Sequence, residues 1–254
     1  MKNFVVVIPA RFASERLPGK PLKNIAGKPM LQHVYERGVE SGAAEVIIAT
    51  DDQRIADAAK LFSAACCMTS ADHQSGTDRL AEVSQINNWS DDQVLVNLQG
   101  DEPLMPAELI RQCAALLEDD AADVATLASP IQSGEDFRDP NVVKVVIDSD
   151  DNALYFSRAA IPYSRTDSTD DLARETALHH HGIYAYRNDV LQRIVNAPRS
   201  ALEICERLEQ LRALSLGLTI KVGRPAQRPG PGVDTEMDLL EVQRLLEEAA
   251  RAGR

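Results

Sequence analysis

The 254-residue sequence has only four cysteines, and their placement excludes more than it offers. Cys66 and Cys67 are adjacent while Cys113 and Cys205 stand alone, so the spacing suits neither a zinc site nor a redox pair. Free thiols, buried or half-buried, are expected. No apolar run approaches the roughly 20 residues that span a bilayer. The chain passes from Met1-Lys2-Asn3 straight into a strand-like run with no signal-peptide pattern, which predicts a cytoplasmic protein without membrane insertion. There is no Pro/Gly/Ser-rich linker, internal repeat or low-complexity tract, and this favours one large α/β domain over two small ones. Positive charge is in deficit: 27 Lys and Arg face 39 Asp and Glu, a formal net charge of -12. An acidic chain argues against a nucleic-acid or membrane-surface partner, so any anionic ligand must be held by a local basic patch.

Residues 1–30 supply that patch, with Lys2, Arg11, Arg16, Lys20, Lys23 and Lys28 opposed by Glu15 alone. They surround an apolar run, FVVVI (4–8), the first of four; the others are EVIIAT (45–50), QVLVNLQ (93–99) and ADVATLA (122–128). Continuous rather than alternating apolar character marks strands covered on both faces, hence a mostly parallel sheet. The intervening segments 30–42, 50–62, 78–86 and 107–120 carry apolar residues three and four apart and read as crossover helices of a doubly wound fold. The second half differs. VVKVVIDSDDNALYFS (142–157) reads as a hairpin turning at Ser149–Asn152, GIYAYR (182–187) as a strand, and 201–217 as one helix capped by Gly217. Thr235 and Asp238 stand near capping-box spacing ahead of a final amphipathic helix.

Two phosphate-loop patterns are missing. GxGxxG does not occur, and Gly19-Lys20 is followed by Pro21 rather than Ser or Thr, which excludes a Rossmann dehydrogenase and a P-loop NTPase. In an open α/β sheet, ligands bind beyond the carboxyl ends of the strands. After the first strand comes PARFASERLPGKP, whose Arg11, Arg16 and Lys20 could neutralise a triphosphate or could form a solvated basic loop. The third long strand ends at NLQGDEP, putting Gln99 and Asp101 on the same rim. Asp101 there either caps a turn or holds Mg²⁺ shared with phosphates. ADHQSGTDR (71–79) could read a base edge through Ser75 and Thr77, or could simply cap a helix; Asp234 has the same ambiguity. DSD (148–150) imitates the metal motif of glycosyltransferases but falls at a hairpin tip. The three histidines 179–181 cannot all face one ion, because neighbours on a strand point to opposite faces.

Taken together, PARFASERLPGKPL, ADHQSGTDRLAEV, NLQGDEP, YFSRAAIPY, HHGIYAYR, LEQLRAL and GVDTEMDL resemble the 3-deoxy-manno-octulosonate (Kdo) cytidylyltransferases, from about residue 4 to residue 246 in unbroken order. The resemblance implies a nucleotide-diphospho-sugar transferase-like fold with an inserted hairpin region. Residues 1–130 would be mainly nucleotide-binding, 131–225 mainly sugar-binding and dimerisation, and 226–254 would bring a metal-binding Asp and a closing helix. It implies transfer of CMP from CTP to Kdo with release of pyrophosphate, for lipopolysaccharide biosynthesis, by a cytoplasmic homodimer using Mg²⁺. By the same resemblance Arg11, Arg16 and Lys20 would hold the triphosphate, with Ala10, Ser75, Gly76 and Gln99 near the nucleotide. Gln99, Arg158, Arg165, His180, Tyr184, Glu209 and Gln210 would line the sugar pocket. Asp101 and Asp234 would hold the metal, and Arg11, Lys20, Asp101 and Asp234 would carry catalysis. Rival readings are a cytidylyltransferase for another acid sugar, a DxD glycosyltransferase and a non-catalytic nucleotide-binding regulator.

Overall fold

The apolar runs of the first half become central strands covered on both faces. In the computed structural model, which describes residues 3–13, 16–119, 121–165 and 171–252, β1 (Phe4–Ala10) leads through a 3-10 turn at Lys20–Leu22 into a small hairpin, β2 (Asn24–Ile25) and β3 (Lys28–Pro29), and then α1 (Met30–Glu40). There follow β4 (Glu45–Thr50), α2 (Gln53–Leu61), β5 (Ala65–Met68), α3 (Gly76–Ile86), β6 (Val94–Asn97), α4 (Ala107–Ala115), β7 (Val124–Pro130) and α5 (Gly134–Arg138). The remainder comprises β8 (Lys144–Ile147), β9 (Ala153–Ser157), α6 (Asp171–Thr176), β10 (Leu178–Arg187), α7 (Asn188–Asn196), α8 (Ala201–Glu206), α9 (Gln210–Ser215), β11 (Ile220–Gly223) and α10 (Glu236–Ala252).

The main sheet runs β11-β7-β10-β6-β1-β4-β5, with the β8-β9 hairpin attached through β10. β1 pairs in parallel with β4 and β6, β4 with β5, and β11 with β7. Along β1, Val6 and Ile8 enter the core on one face while Val5 and Val7 enter the core on the other. Full burial of each such side chain is worth about 1.5–3 kcal/mol, so an unbroken apolar run is what this position in the sheet demands.

Two sequence expectations are corrected and one strand is added. GIYAYR is the second half of a longer strand, β10, which enters the sheet antiparallel between β6 and β7. The edge strand β5 carries Cys66 and Cys67 and lacks the long apolar run of the others; its half-buried edge position asks for none. Residues 201–217 are not one helix: Arg207 adopts the left-handed conformation at φ 54° and separates α8 from α9. The break is held by a buried ion pair. Glu203 of α8 accepts from Arg212 of α9 at 2.6 and 2.9 Å, while Arg212 also donates to the Ile194 carbonyl at the end of α7.

Other expectations hold. Gly217 sits at φ 73° just past α9, and the hairpin turn is closed by Asp148, whose carboxylate accepts from the amides of Asp150 and Asn152. Thr235 and Asp238 reciprocally cap α10. That helix docks through Leu239 and Val242, which pack with Val233 against Leu17, Ile25 and Met30. This apolar contact brings the last part of the chain to the loop that follows the first strand.

Candidate active site

Backbone geometry places the three loops of the site before any charge is considered. Gly100 follows β6 and passes so close to the end of β1 that an added Cβ would lie 2.8 Å from the Pro9 carbonyl oxygen; only glycine fits, and Gln99 and Asp101 are thereby set against Ala10 and Arg11. In the basic loop, Gly19 takes the left-handed conformation at φ 68° and donates its amide to the Phe12 carbonyl at 3.1 Å. The turn so formed starts the 3-10 segment with Lys20 directed inward. On the third loop, the Val233 amide donates to the Asp101 carbonyl at 2.9 Å.

The side chains then converge. Lys20 Nζ donates to Asp101 Oδ2 at 2.7 Å, to the Val233 carbonyl at 2.8 Å and to Asp234 Oδ1 at 3.2 Å. Arg16, largely exposed, pairs with the same Asp234 oxygen at 3.0 Å. Burial pushes the Lys20 pKa down, but the charges and hydrogen bonds of Asp101 and Asp234 outweigh it and the net shift is upward. Beside them, Glu102 is pushed up to about 8, first by burial and then by the neighbouring charges of Asp101 and Asp234, with Lys20 opposing. Three carboxyl groups thus crowd one ammonium. Among the described residues no group of three or more His, Cys, Asp or Glu forms a metal cage. Asp101 and Asp234 nevertheless converge on one cation, offer oxygen donors only, and leave room for ligand oxygens. That donor set fits Mg²⁺, which keeps most of its shell for water and phosphate.

Two clefts meet at Gly76 and Gln99, next to this rim. One of about 250 Å³ is lined by Ala10, Arg11, Lys20, Gly76, Gln99 and Asp101. Arg11 donates to the His73 carbonyl, and His73 is in turn tied by Nε2 to Glu82 at 2.5 Å, so the segment 71–79 is anchored against the basic loop. A second cleft of about 370 Å³ includes Gly76, Gln99, His180, Tyr184, Glu209 and Gln210. His180 is buried and packs edge-on against Phe156 and beside Tyr184. Burial pushes its pKa down to about 3, with the neighbouring histidines adding to the effect, so it is a neutral imidazole. Its Nε2 lies 3.1 Å from Thr126 Oγ1, whose hydroxyl donates to the Ile183 carbonyl at 2.7 Å.

Most of the residues named from sequence therefore reach one place, with instructive exceptions. Ser75 spends its hydroxyl on the capping box of α3, accepting from the Asp78 amide. Thr77 donates to Glu209 Oε2 at 2.7 Å, so its hydroxyl proton is already committed within the protein. Glu209 is exposed as a residue, but the Thr77 bond turns its carboxylate toward the cleft, and desolvation there raises its pKa. Arg158 is outside the cleft lining: its guanidinium donates to the carbonyls of Glu206 and Pro140. Arg165 is exposed and also outside it, beside residues 166–170, which lie outside the described residues. Sequence reasoning missed Glu102, whose half-buried place among the charges of Asp101, Asp234 and Lys20 an acidic residue beside Asp101 did not announce. It also missed Asn97, an amide closing the apolar run VLVN; a polar residue there was the available signal.

The fold and these clefts are those of a cytidylyltransferase: the family model of that description, "Cytidylyltransferase", matches residues 5–220. A 3-deoxy-manno-octulosonate cytidylyltransferase from Yersinia enterocolitica is 51% identical over 96% of this chain and 98% of its own length. One from Thioalkalivibrio sulfidiphilus is 52% identical over 96% and 99%. The chain belongs to the 3-deoxy-manno-octulosonate cytidylyltransferase family. A solved CMP:2-keto-3-deoxy-manno-octonic acid synthetase complexed with CTP superposes with a TM-score of 0.89 at 45% identity, covering 98% of this chain and 100% of that one. A 4-diphosphocytidyl-2C-methyl-D-erythritol synthase from Anaerococcus prevotii shares the fold alone, with a TM-score of 0.62 at 11% identity over 96% and 99%.

Proposed function

We propose that the protein transfers CMP from CTP to the anomeric hydroxyl of 3-deoxy-D-manno-octulosonate, releasing pyrophosphate. The observation that carries this reading is the Lys20 ammonium gripping Asp101 and Asp234 beside the cleft lined by Ala10, Arg11 and Gln99. A single edge of the sheet thus offers cations for a triphosphate and paired carboxylates for a metal.

In this mechanism the sugar's anomeric oxygen attacks the α-phosphorus of CTP. The new P–O bond forms as the bond to the β-phosphate oxygen breaks in line with it, and the hydroxyl proton passes to solvent. Positioning and charge neutralisation supply most of the acceleration in such displacements. Lys20 and Arg11 bind the triphosphate and offset the charge growing on pyrophosphate. Arg16 meets the same phosphates from the open side. Gly76 and Ala10 allow close approach of the nucleotide, with Ser75 fixing the α3 N-terminus behind them. Gln99, His180, Tyr184, Glu209 and Gln210 orient the sugar, and Arg158 and Arg165 would have to swing from their present positions to join them. Neutral His180 does not act as the base. Asp101 and Asp234 would hold Mg²⁺, which when bound lowers the pKa of a coordinated hydroxyl and neutralises phosphate charge.

The enzyme would act in the cytoplasm as a homodimer formed around the 142–165 hairpin. Leu154 and Tyr163 support this face, being 61% and 87% exposed although apolar; light scattering would test it. For the reaction, pyrophosphate release should be measured from CTP with Kdo, a sialic acid and an amino-substituted octulosonate. The highest kcat/KM with Kdo is expected. A higher value with either rival, or none with any acid sugar, would overturn the assignment.

A further inference from the structure

We propose that Asn97, the last residue of β6, contacts the acid sugar and helps to set which hydroxyl pattern the cleft accepts; the inference rests on the Kdo reading above. Along β6, Val94 and Val96 enter the core on one face of the sheet and Leu95 the core on the other. Strand alternation puts Asn97 with Leu95, on the face of Tyr184, its cross-strand partner on β10. Asn97 is only 1% exposed, yet it lines the larger of the two clefts that meet at Gly76 and Gln99 and its Oδ1 has no hydrogen-bond partner. A Cβ added to Gly76 would lie 3.9 Å from Asn97 Nδ2, so the amide stands where the nucleotide side of the site gives way to the sugar side.

Nothing in the local structure asks for this residue. Asparagine is disfavoured in strands, and an unmet acceptor in a buried position lowers the stability of the free protein. A ligand that satisfies it explains its presence. Gln210 Nε2 is likewise buried without a partner, and Gln210 and Tyr184 line the same cleft. One acceptor, one donor and one hydroxyl able to serve as either make a pattern that suits a polyhydroxylated ligand, whose hydroxyls both donate and accept.

The test is a pair of variants: Asn97→Leu, which keeps the branched outline with methyl groups in place of the amide oxygen and nitrogen, and Asn97→Ala. Thermal unfolding is measured without substrates, and KM is measured separately for Kdo and for CTP. Because the orphaned acceptor disappears, Asn97→Leu should unfold at or above the wild-type temperature, whereas the KM for Kdo should rise about tenfold in both variants. The KM for CTP should stay within about twofold, since the amide is assigned to the sugar. A Kdo KM near the wild-type value in both variants would overturn the proposal, and a lowered unfolding temperature alongside it would assign Asn97 a structural role. A wild type that turns over no Kdo would overturn the reaction reading as well, and it is told apart because it shows before any variant is compared.

Discussion

Lys20 Nζ lies 2.7 Å from Asp101 Oδ2, with its side chain only 13% exposed. A cation from the first turn of the sheet is therefore neutralised by an acid from the third, and shares that acid's task with Asp234 from near the end of the chain. In the free protein the ammonium neutralises charge on both carboxylates. On the proposed reading, a bound triphosphate would offer the same ammonium a second partner of higher charge.

Replacing Lys20 by Ala removes a partner of the leaving group. kcat/KM should fall about a hundredfold or more, corresponding to ~3 kcal/mol of transition-state stabilisation. Steady-state pyrophosphate release checks it; a loss of tenfold or less would reduce Lys20 to part of a solvated loop.

Asp101→Asn keeps the shape of the side chain and removes its charge. Turnover should become undetectable at any Mg²⁺ concentration while circular dichroism and the unfolding transition stay close to wild type. Substantial residual activity would remove Asp101 from the metal site.

The ion pair that secures the break between α8 and α9 should be felt in stability rather than chemistry. Glu203 is 1% exposed and bonded to Arg212, and removing one partner of a buried pair costs about 3–5 kcal/mol. Glu203→Ala should lower the unfolding temperature by roughly 6–20 °C. The bonded arginines outweigh burial and hold the folded-state pKa of Glu203 below its ordinary value of 4.5. The pair's contribution is therefore complete above that value and is lost as pH falls through the folded pKa. Wild type and variant should converge in stability in acid; a constant difference down to pH 3 would contradict the assignment.

The parallel half of the fold was legible because burial on both faces leaves an unbroken apolar run, as in Val5–Ile8 and Val94–Val96. β10 was harder to read: its first residues are Leu178 and three histidines, so the apolar signal began only at Gly182, and nothing local says that a strand will insert antiparallel. The break at Arg207 was invisible because an arginine forced to positive φ follows from tertiary contacts, here the Glu203–Arg212 pair, and not from its own propensity. Within the site, the charges of Arg11, Lys20, Asp101 and Asp234 announced themselves by their place at strand ends or before a helix. Glu102 and Asn97 did not, since what distinguishes them is their surroundings: Glu102 sits half-buried among charges and Asn97 is buried in the sheet. Arg158 and Arg165 came from resemblance alone, and the structure leaves both outside the cleft.

The central claim is that Asp101 and Asp234 form one cation site which Lys20 fills in the free protein. Mn²⁺ titration of the nucleotide-free protein, followed by electron paramagnetic resonance, tests it without any turnover. Lys20→Met should bind Mn²⁺ about tenfold or more tightly than wild type, because the competing ammonium is gone, and adding Asp101→Asn to that variant should abolish the gain. Equal or weaker binding by Lys20→Met, or a gain that survives the loss of Asp101, would contradict the account.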